Sequence, residues 1–358
     1  MFLKKVIVNR NMKYFLLAVS LLFFTAAFGQ NNWTATNGPF GGSISSFKRS
    51  TSGTLYVVNG QRLYQSTNSG DTWSLTATTT PTTLYLNDLM IDTDGKMYAV
   101  YFSTLYTSAD NGITWTTTAT NLFQNGVKID KVGPDGVFMI WGYSGVYVSI
   151  NKGLSWTQIS IENTAGYQGL ISNTAGDIFY ASSNGKLYKH EYKGLTGNWT
   201  SANFIQTNLS LPVNEIITSM VIDVAGNLFV SSYNNFFKST NSGINSTVPT
   251  FTSIKANLAP LTYFYGLLAA SSNGFVYFFS NDNKQYKTTN QGTTWVSTNG
   301  PSFDYGSQVS SIVFASASTF FVGTSGDGVF RTTDTGATWA FKSTGLTGAN
   351  TTGLVVAN

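Results

Sequence analysis

The stretch STNSGDTW, Ser66–Trp73, returns as SADNGITW at 108–115, SINKGLSW at 149–156, TTNQGTTW at 288–295 and TTDTGATW at 332–339. Its glycine falls at Gly70, Gly112 and Gly153, at Gly194 and Gly243 in two decayed copies, then at Gly292 and Gly336. The steps are 42, 41, 41, 49, 49 and 44 residues. A second marker precedes every copy, a turn followed by an apolar run. It reads SGTLYVV at 52–58, DGKMYAV at 94–100 and NGFVYFF at 273–279, with equivalents at 135–141, 176–182, 226–232 and 318–324. Two independent markers each count seven units.

Each unit reads as four short strands rich in β-branched and aromatic residues and bounded by Gly, Asn, Asp or Pro. In the second unit they fall near Asn87–Asp92, Lys96–Phe102, Thr104–Ser108 and Thr114–Ala119. One such sheet cannot bury both of its faces alone, whereas seven stacked radially bury them against one another. The expected fold is all-β: one seven-bladed β-propeller with four-stranded antiparallel blades over residues 30–358. NWTATNGP at 32–39 matches TWVSTNGP at 294–301, and TTGLVVAN at 351–358 reads as an innermost strand. Either end is therefore a candidate to supply a strand that closes the ring.

The box lies between a unit's third and fourth strands, so it is a hairpin turn. Its glycine can take the positive φ that residues with a Cβ resist. Asn68, Asp110, Asn151, Asn290 and Asp334 are of the type that accepts backbone N–H bonds a few residues on. Asn replaces Asp in three of these five copies. A catalytic acid or metal ligand does not tolerate that exchange, whereas a turn-closing acceptor does. Trp73, Trp115, Trp156, Trp295 and Trp339 start the outer strand, where a large ring can pack between blades.

The pattern S/T-x-D/N-x-G-x-T/S-W resembles the Asp-box, or bacterial neuraminidase repeat. That repeat occurs in sialidases, sortilin-type receptors, xyloglucanase-type glycosidases and the photosystem II assembly and stability factor propellers. The resemblance spans the whole chain after its first 29 residues and implies a propeller. It also implies that a ligand site lies on the face away from the boxes. A sialidase of this kind needs three arginines on the substrate carboxylate, the first in an Arg-Ile-Pro motif. That motif is absent, and only Arg49, Arg62 and Arg331 follow the N-terminal segment.

Composition narrows the remaining classes. Lys4, Lys5, Arg10 and Lys13 precede or flank an apolar run from Tyr14 to Phe24, followed by small residues through Gly29. Residues 1–29 are expected to be a cleaved secretion signal, placing the protein outside the cytoplasm as a secreted, periplasmic or cell-surface species. The chain holds 20 Lys and Arg against 16 Asp and Glu; setting aside the four in this segment balances the rest. No basic stripe remains for phosphates, so nucleic acid is not an expected partner. No further membrane span is expected after signal removal. With no cysteine and a single histidine, His190, no metal site and no cofactor are expected. Asp92-Thr93-Asp94-Gly95 lacks the other ligands of a calcium loop and reads as a hairpin turn. His190 reads as a surface or interblade residue.

If the boxes define one face, the second-to-third turns and the connections entering each first strand define the other. Those connections carry Tyr85, Asp88, Lys128, Asp130, Tyr167, Glu215, Tyr263, Tyr265, Asp304 and Tyr305, and the turns add Trp141, Tyr143 and Tyr233. The bulky WGYSG segment at 141–145 makes Trp141 and Tyr143 the leading ligand contacts. Rings mixed with carboxylates suit a protein or glycan partner, by stacking and hydrogen bonding. The expected function is an exported, non-enzymatic binding propeller. The alternative is a sialidase-like or xyloglucanase-like glycoside hydrolase, with two of Asp88, Asp130, Glu215 and Asp304 as its acids.

Overall fold

In a computed structural model of the chain, each repeat closes one antiparallel sheet of four consecutive strands. The structure describes residues 41–60, 62–76, 86–120, 126–142, 145–159, 167–200, 204–209, 211–212, 215–239, 249–258, 261, 263–302 and 307–347. The chain divides into a unit of residues 1–38 and one of 39–358, and all described residues belong to the second. Blades 1 to 7 span residues 44–75, 88–119, 126–159, 167–206, 217–253, 266–299 and 309–341. Together they form an all-β, seven-bladed propeller. Among the described residues the one helix is a short 3-10 turn, Lys255–Leu258.

Burial follows the position of a strand within its blade. Six of the seven second strands, such as Leu55–Asn59, Ile178–Ser182 and Phe320–Thr324, are buried throughout, and the seventh, Met97–Tyr101, ends on half-buried Tyr101. They lie between two neighbouring sheets, so both faces are covered and the sequence is apolar without alternation. Fourth strands such as Ser74–Leu75 and Val296–Asn299 are largely exposed. Among the described residues the core is accordingly split into seven clusters, each shared by two adjacent blades. Trp115 of blade 2 packs with Tyr56, Val58 and Leu63 of blade 1. Trp73 of blade 1 packs with Phe321 and Val329 of blade 7, which closes the ring.

Among the described residues, all seven sheets are built from four consecutive strands. The two candidate closing stretches, 32–39 and 351–358, lie outside the described residues. Among the described residues, the seam between the last and first blades runs through the box of blade 1. The Trp73 backbone N–H donates to Thr344 O at 2.8 Å and its indole N–H to Lys342 O at 2.8 Å. Arg331 of blade 7 donates to Ser69 O at 2.8 Å and meets Asp71 at 3.1 Å, while Lys342 reaches the same carboxylate at 2.6 Å. Gly42 and Asp327 add an isolated parallel bridge.

The boxes are hairpins between third and fourth strands. Ser66 Oγ accepts the Gly70 N–H at 2.9 Å and donates to Asn68 Oδ1 at 2.8 Å. Asn68 Oδ1 also accepts the Thr72 N–H at 3.0 Å; Asp110, Asn151, Asn290 and Asp334 accept equivalent bonds at 2.8–2.9 Å. The second polar atom explains the Asn-for-Asp exchange. Asn68 Nδ2 donates to Thr72 Oγ1 at 2.8 Å, whereas Asp110 Oδ2 accepts from Thr114 Oγ1 at 2.5 Å. The hydroxyl rotates to suit either partner. A feature the sequence reading missed is that the residue before each box glycine is also left-handed: Ser69, Asn111, Lys152, Gln291 and Thr335 have φ of 56–61°. In three of these five copies a third-strand base of the preceding blade donates to that residue's carbonyl. Lys238 donates to Gln291 O at 2.7 Å and Lys287 to Thr335 O at 3.3 Å, as Arg331 does to Ser69 O.

The hydrogen bonds from Thr114 hold the Asp110 carboxyl at about 2, below its ordinary 3.8. Its stabilising contribution is complete above 3.8 and is lost as pH falls through about 2. Asp110→Asn should therefore leave the melting temperature at pH 7 within about 2 °C of wild type. Between pH 4 and 2 the variant should lose less stability than wild type. A large loss at pH 7, read by calorimetry, would give the carboxylate a role beyond the turn.

Candidate functional site

The face opposite the boxes is built from second-to-third turns and from the chain entering each first strand. Its most developed part lies on blades 4 to 6. Tyr233, in the second-to-third turn of blade 5, stacks on Tyr265 from the connection into blade 6, with centroids 5.4 Å apart and planes 10° apart. They are 41% and 38% exposed, and neighbouring Tyr263 is 62% exposed. The backbone fixes this group: the Phe264 N–H donates to Tyr233 O at 2.8 Å, and Phe264 itself is fully buried among Phe236, Leu268 and Phe278. A buried phenylalanine thus anchors the segment whose two flanking tyrosines stay in solvent.

Beside this group a cleft of about 660 Å³ lies between blades 4 and 5, lined by Asn184, Lys186, Gln206, Leu211, Pro212 and Glu215 among others. One wall approaches the other so closely that only glycine fits at Gly185. A Cβ there would lie 2.3 Å from the Glu215 carbonyl oxygen, at a φ of +77°. The Glu215 side chain is buried and fully engaged. Oε1 accepts from Ser232 Oγ at 2.5 Å and from the Asn234 N–H at 2.7 Å, and Oε2 accepts from Asn235 Nδ2 at 2.8 Å. Glu215 therefore joins the cleft to the turn that carries Tyr233.

The other expected contacts are dispersed. Trp141 corrects the sequence reading: it lies in the second strand of blade 3, Val137–Gly142, and is 5% exposed. Its ring packs with Val146 and Ile159 and with Tyr180 and Tyr188 of blade 4, as second-strand residues do in every blade. The strand runs on through Gly142, which pairs with Gly145. Tyr143, Asp304, Tyr305 and Tyr85 lie outside the described residues.

Asp88 and Asp130 belong to a charge cluster on the first strands of blades 1 to 3. Buried Asp88 accepts the Ile129 N–H at 3.1 Å and faces Lys128 at 3.8 Å. Lys128 spans blade 2 to donate to Ser45 O of blade 1 at 3.0 Å. Burial alone would lower the Lys48 ammonium, but the Asp130 and Asp88 charges hold it above its ordinary value. Two lysines and two aspartates thus neutralise one another.

The three arginines do not converge. Arg62 starts a third strand on the face away from the boxes, whereas Arg49 ends a first strand on the box face and Arg331 is tied to the blade 1 box. Asp92 also lies on the box face, between Lys131 at 3.0 Å and Lys152 at 2.9 Å. Burial opposes ionisation there, but the hydrogen bonds from Lys152 and Lys131 hold its carboxyl well below the usual range. His190 occupies the place that Ser66 holds in the blade 1 box and is fully buried. It stacks on Trp199 with centroids 4.9 Å apart, and burial pushes its pKa down.

One further residue on the face opposite the boxes escaped the sequence reading. Phe102 is the first of two residues joining the second and third strands of blade 2, and it has a φ of +49°. It is 53% exposed. An L-residue in this region costs roughly 1–2 kcal/mol, which is why such turns favour Gly, Asn or Asp. The missing Gly, Asn or Asp in the turn at 102–103 was the available signal.

No known protein family matches the sequence, and no curated protein does. Among solved structures the chain is similar to YCF48 from Cyanidioschyzon merolae, with a TM-score of 0.64 and 14% identity over 83% of this chain and 97% of that one. A structure of YCF48 bound to a D1 peptide gives a TM-score of 0.64 and 15% identity, over 83% and 94%. The GH74 enzyme of Niastella koreensis gives 0.63 and 20%, over 86% of this chain but 55% of the enzyme. At these identities the likeness is one of fold, a seven-bladed propeller. Both a peptide-bound protein and a GH74 enzyme share it, so the face itself must discriminate between them.

Proposed function

We propose that this chain is an exported, non-enzymatic propeller that binds a protein or glycan partner on the face opposite the boxes. The observation that carries the reading is the exposed, stacked Tyr233–Tyr265 pair with Tyr263, fixed beside a cleft whose carboxylate is already engaged. Rigid tyrosines offer large contact area at little cost in conformational entropy, with a polar tip for hydrogen bonds. YCF48 bound to a D1 peptide supports a partner-binding role for a propeller of this shape. The box resemblance, to Asp-box propellers, belongs to the same proposal. So does the export signal over 1–29, which N-terminal sequencing of the mature protein tests directly.

The hydrolase reading has the GH74 likeness in its favour. Against it stand the separated arginines and the engagement of Glu215 and Asp88 by protein donors. The deciding experiment uses the double variant Tyr233→Ala, Tyr265→Ala, assayed against a glycan array and candidate extracellular proteins. Wild type should bind, and the variant should bind at least about tenfold more weakly with its fold intact. Undiminished binding would remove this face from the account. Release of sugar from fluorogenic glycosides would overturn the non-enzymatic reading.

A further inference from the structure

We propose that the seam between blades 6 and 7 binds one internal water molecule, held by Gln285, Trp339 and Tyr277. The third-strand position of Gln285 is apolar in the other six blades, as Leu63, Leu105, Val146, Leu187, Phe236 and Val329. Gln285 is fully buried there, against the box glycine of the next blade, Gly336. A buried amide is costly unless its polar atoms are paired. Nε2 is paired: it donates to Thr298 Oγ1 at 3.2 Å and to Gly336 O at 3.4 Å. Oε1 is buried and has no partner among the described residues. The opposite amide orientation would set two acceptors, Oε1 and Gly336 O, against each other.

The amide also takes the acceptor that a box tryptophan ordinarily uses. Trp115 donates to Gly112 O at 2.9 Å, Trp156 to Gly153 O at 3.2 Å and Trp199 to Gly194 O at 3.0 Å. In blade 7 Gln285 occupies Gly336 O, and Trp339 Nε1 is buried without a partner among the described residues. A third orphan joins them. Tyr277, in the second strand beside Gln285, is fully buried and its hydroxyl is likewise unpartnered. Burial pushes that phenol up to about 12, so it stays protonated. The seam between blades 2 and 3 shows that these positions converge. A Cβ at Gly153 would lie 3.3 Å from Leu105, 3.6 Å from Trp156 and 3.9 Å from Tyr98. Gln285, Trp339 and Tyr277 hold the same three places around Gly336.

An acceptor, a donor and a hydroxyl able to act as either match the hydrogen-bonding capacity of a single water. All three groups are uncharged. Lys287, the register partner of Tyr277, is committed to Thr335 at 3.2–3.3 Å, so the site favours a neutral ligand over an ion. The seam between blades 5 and 6 is the internal control. Trp295 Nε1 is orphaned too, with Asn257 Nδ2 on Gly292 O at 3.0 Å. Phe236 and Phe229 stand there in place of Gln285 and Tyr277, edge-on to Trp295 at 5.5 and 6.2 Å. One donor among phenyl rings does not hold a water, which needs roughly two to four polar partners.

The test is cross-relaxation between water and the indole protons, measured by NMR on protein with nitrogen-labelled tryptophan. The Trp339 proton should show a cross-peak to a long-lived water, and the Trp295 proton none. Gln285→Leu should abolish the Trp339 cross-peak, with a melting temperature no lower than wild type. Tyr277→Phe, which removes only the hydroxyl, should speed exchange of that water about tenfold. In a wild-type crystal the water should lie about 2.7–3.2 Å from Gln285 Oε1 and Trp339 Nε1. A Trp339 proton silent to water in wild type would overturn the proposal. So would a cross-peak of equal strength at Trp295, or one at Trp339 that survives Gln285→Leu.

Discussion

Trp73→Ala is expected to be among the most damaging substitutions in the ring, lowering stability by about 3–5 kcal/mol. For a chain of this size that is a fall of roughly 5–8 °C in melting temperature. The side chain is 5% exposed and packs edge-on to Phe47, with centroids 5.8 Å apart, in the cluster joining the last blade to the first. Its indole donates to Lys342 O at 2.8 Å, a bond to the blade 7 segment. The loss therefore falls on the one interface that the chain does not cross in sequence. Trp339→Ala should cost less. That ring is half-buried, and its indole nitrogen has no hydrogen-bond partner among the described residues. Urea unfolding of both variants decides the point. Equal losses would mean that packing alone, without the Lys342 bond, sets the role of the box tryptophan.

The same seam shows what a repeat sequence can and cannot reveal. Blade number, strand order and box position were all legible, because each rests on residue types recurring at a fixed spacing. The second unit's third strand was placed at Thr104–Ser108, where it lies. The contacts of the described seam were not legible: Arg331 meets a loop 262 residues earlier in sequence, and no local pattern encodes that pairing. Trp141 was misread for a related reason. A bulky residue beside Gly142 resembles a loop tip, but strand register carries the second strand one residue past it. The decayed fourth box kept its ring and glycine, as Trp199 and Gly194, and filled the serine position with His190. Topology alone placed Tyr233, Tyr263, Tyr265 and Glu215 on the face opposite the boxes, where they lie. Whether each side chain is free or engaged is a property of contacts, which topology leaves open.

Glu215 is where that distinction has its largest measurable consequence. Glu215→Ala is expected to destabilise the protein by about 3–5 kcal/mol, because it strands buried donors as well as removing a side chain. Ser232 Oγ, the Asn234 N–H and Asn235 Nδ2 all lose their acceptor at once. The turn that presents Tyr233 then loses the tie to the wall of the cleft. Amide exchange at Asn234 should accelerate well beyond the global change, and partner binding should fall through Tyr233 without Glu215 touching the ligand. Glu215→Gln is the informative comparison. Its amide keeps one acceptor but turns an NH₂ toward a donor, so a cost of about 1–3 kcal/mol is expected. A catalytic carboxylate predicts the reverse pattern: Glu215→Gln would abolish sugar release and leave the melting temperature unchanged, since the group's work would be done on substrate rather than on Asn234 and Asn235. The carboxylate is buried at 5% exposure and already accepts from three groups of its own chain. It therefore belongs to the scaffold of this face, and in the proposed function the exposed rings around it are what the partner meets.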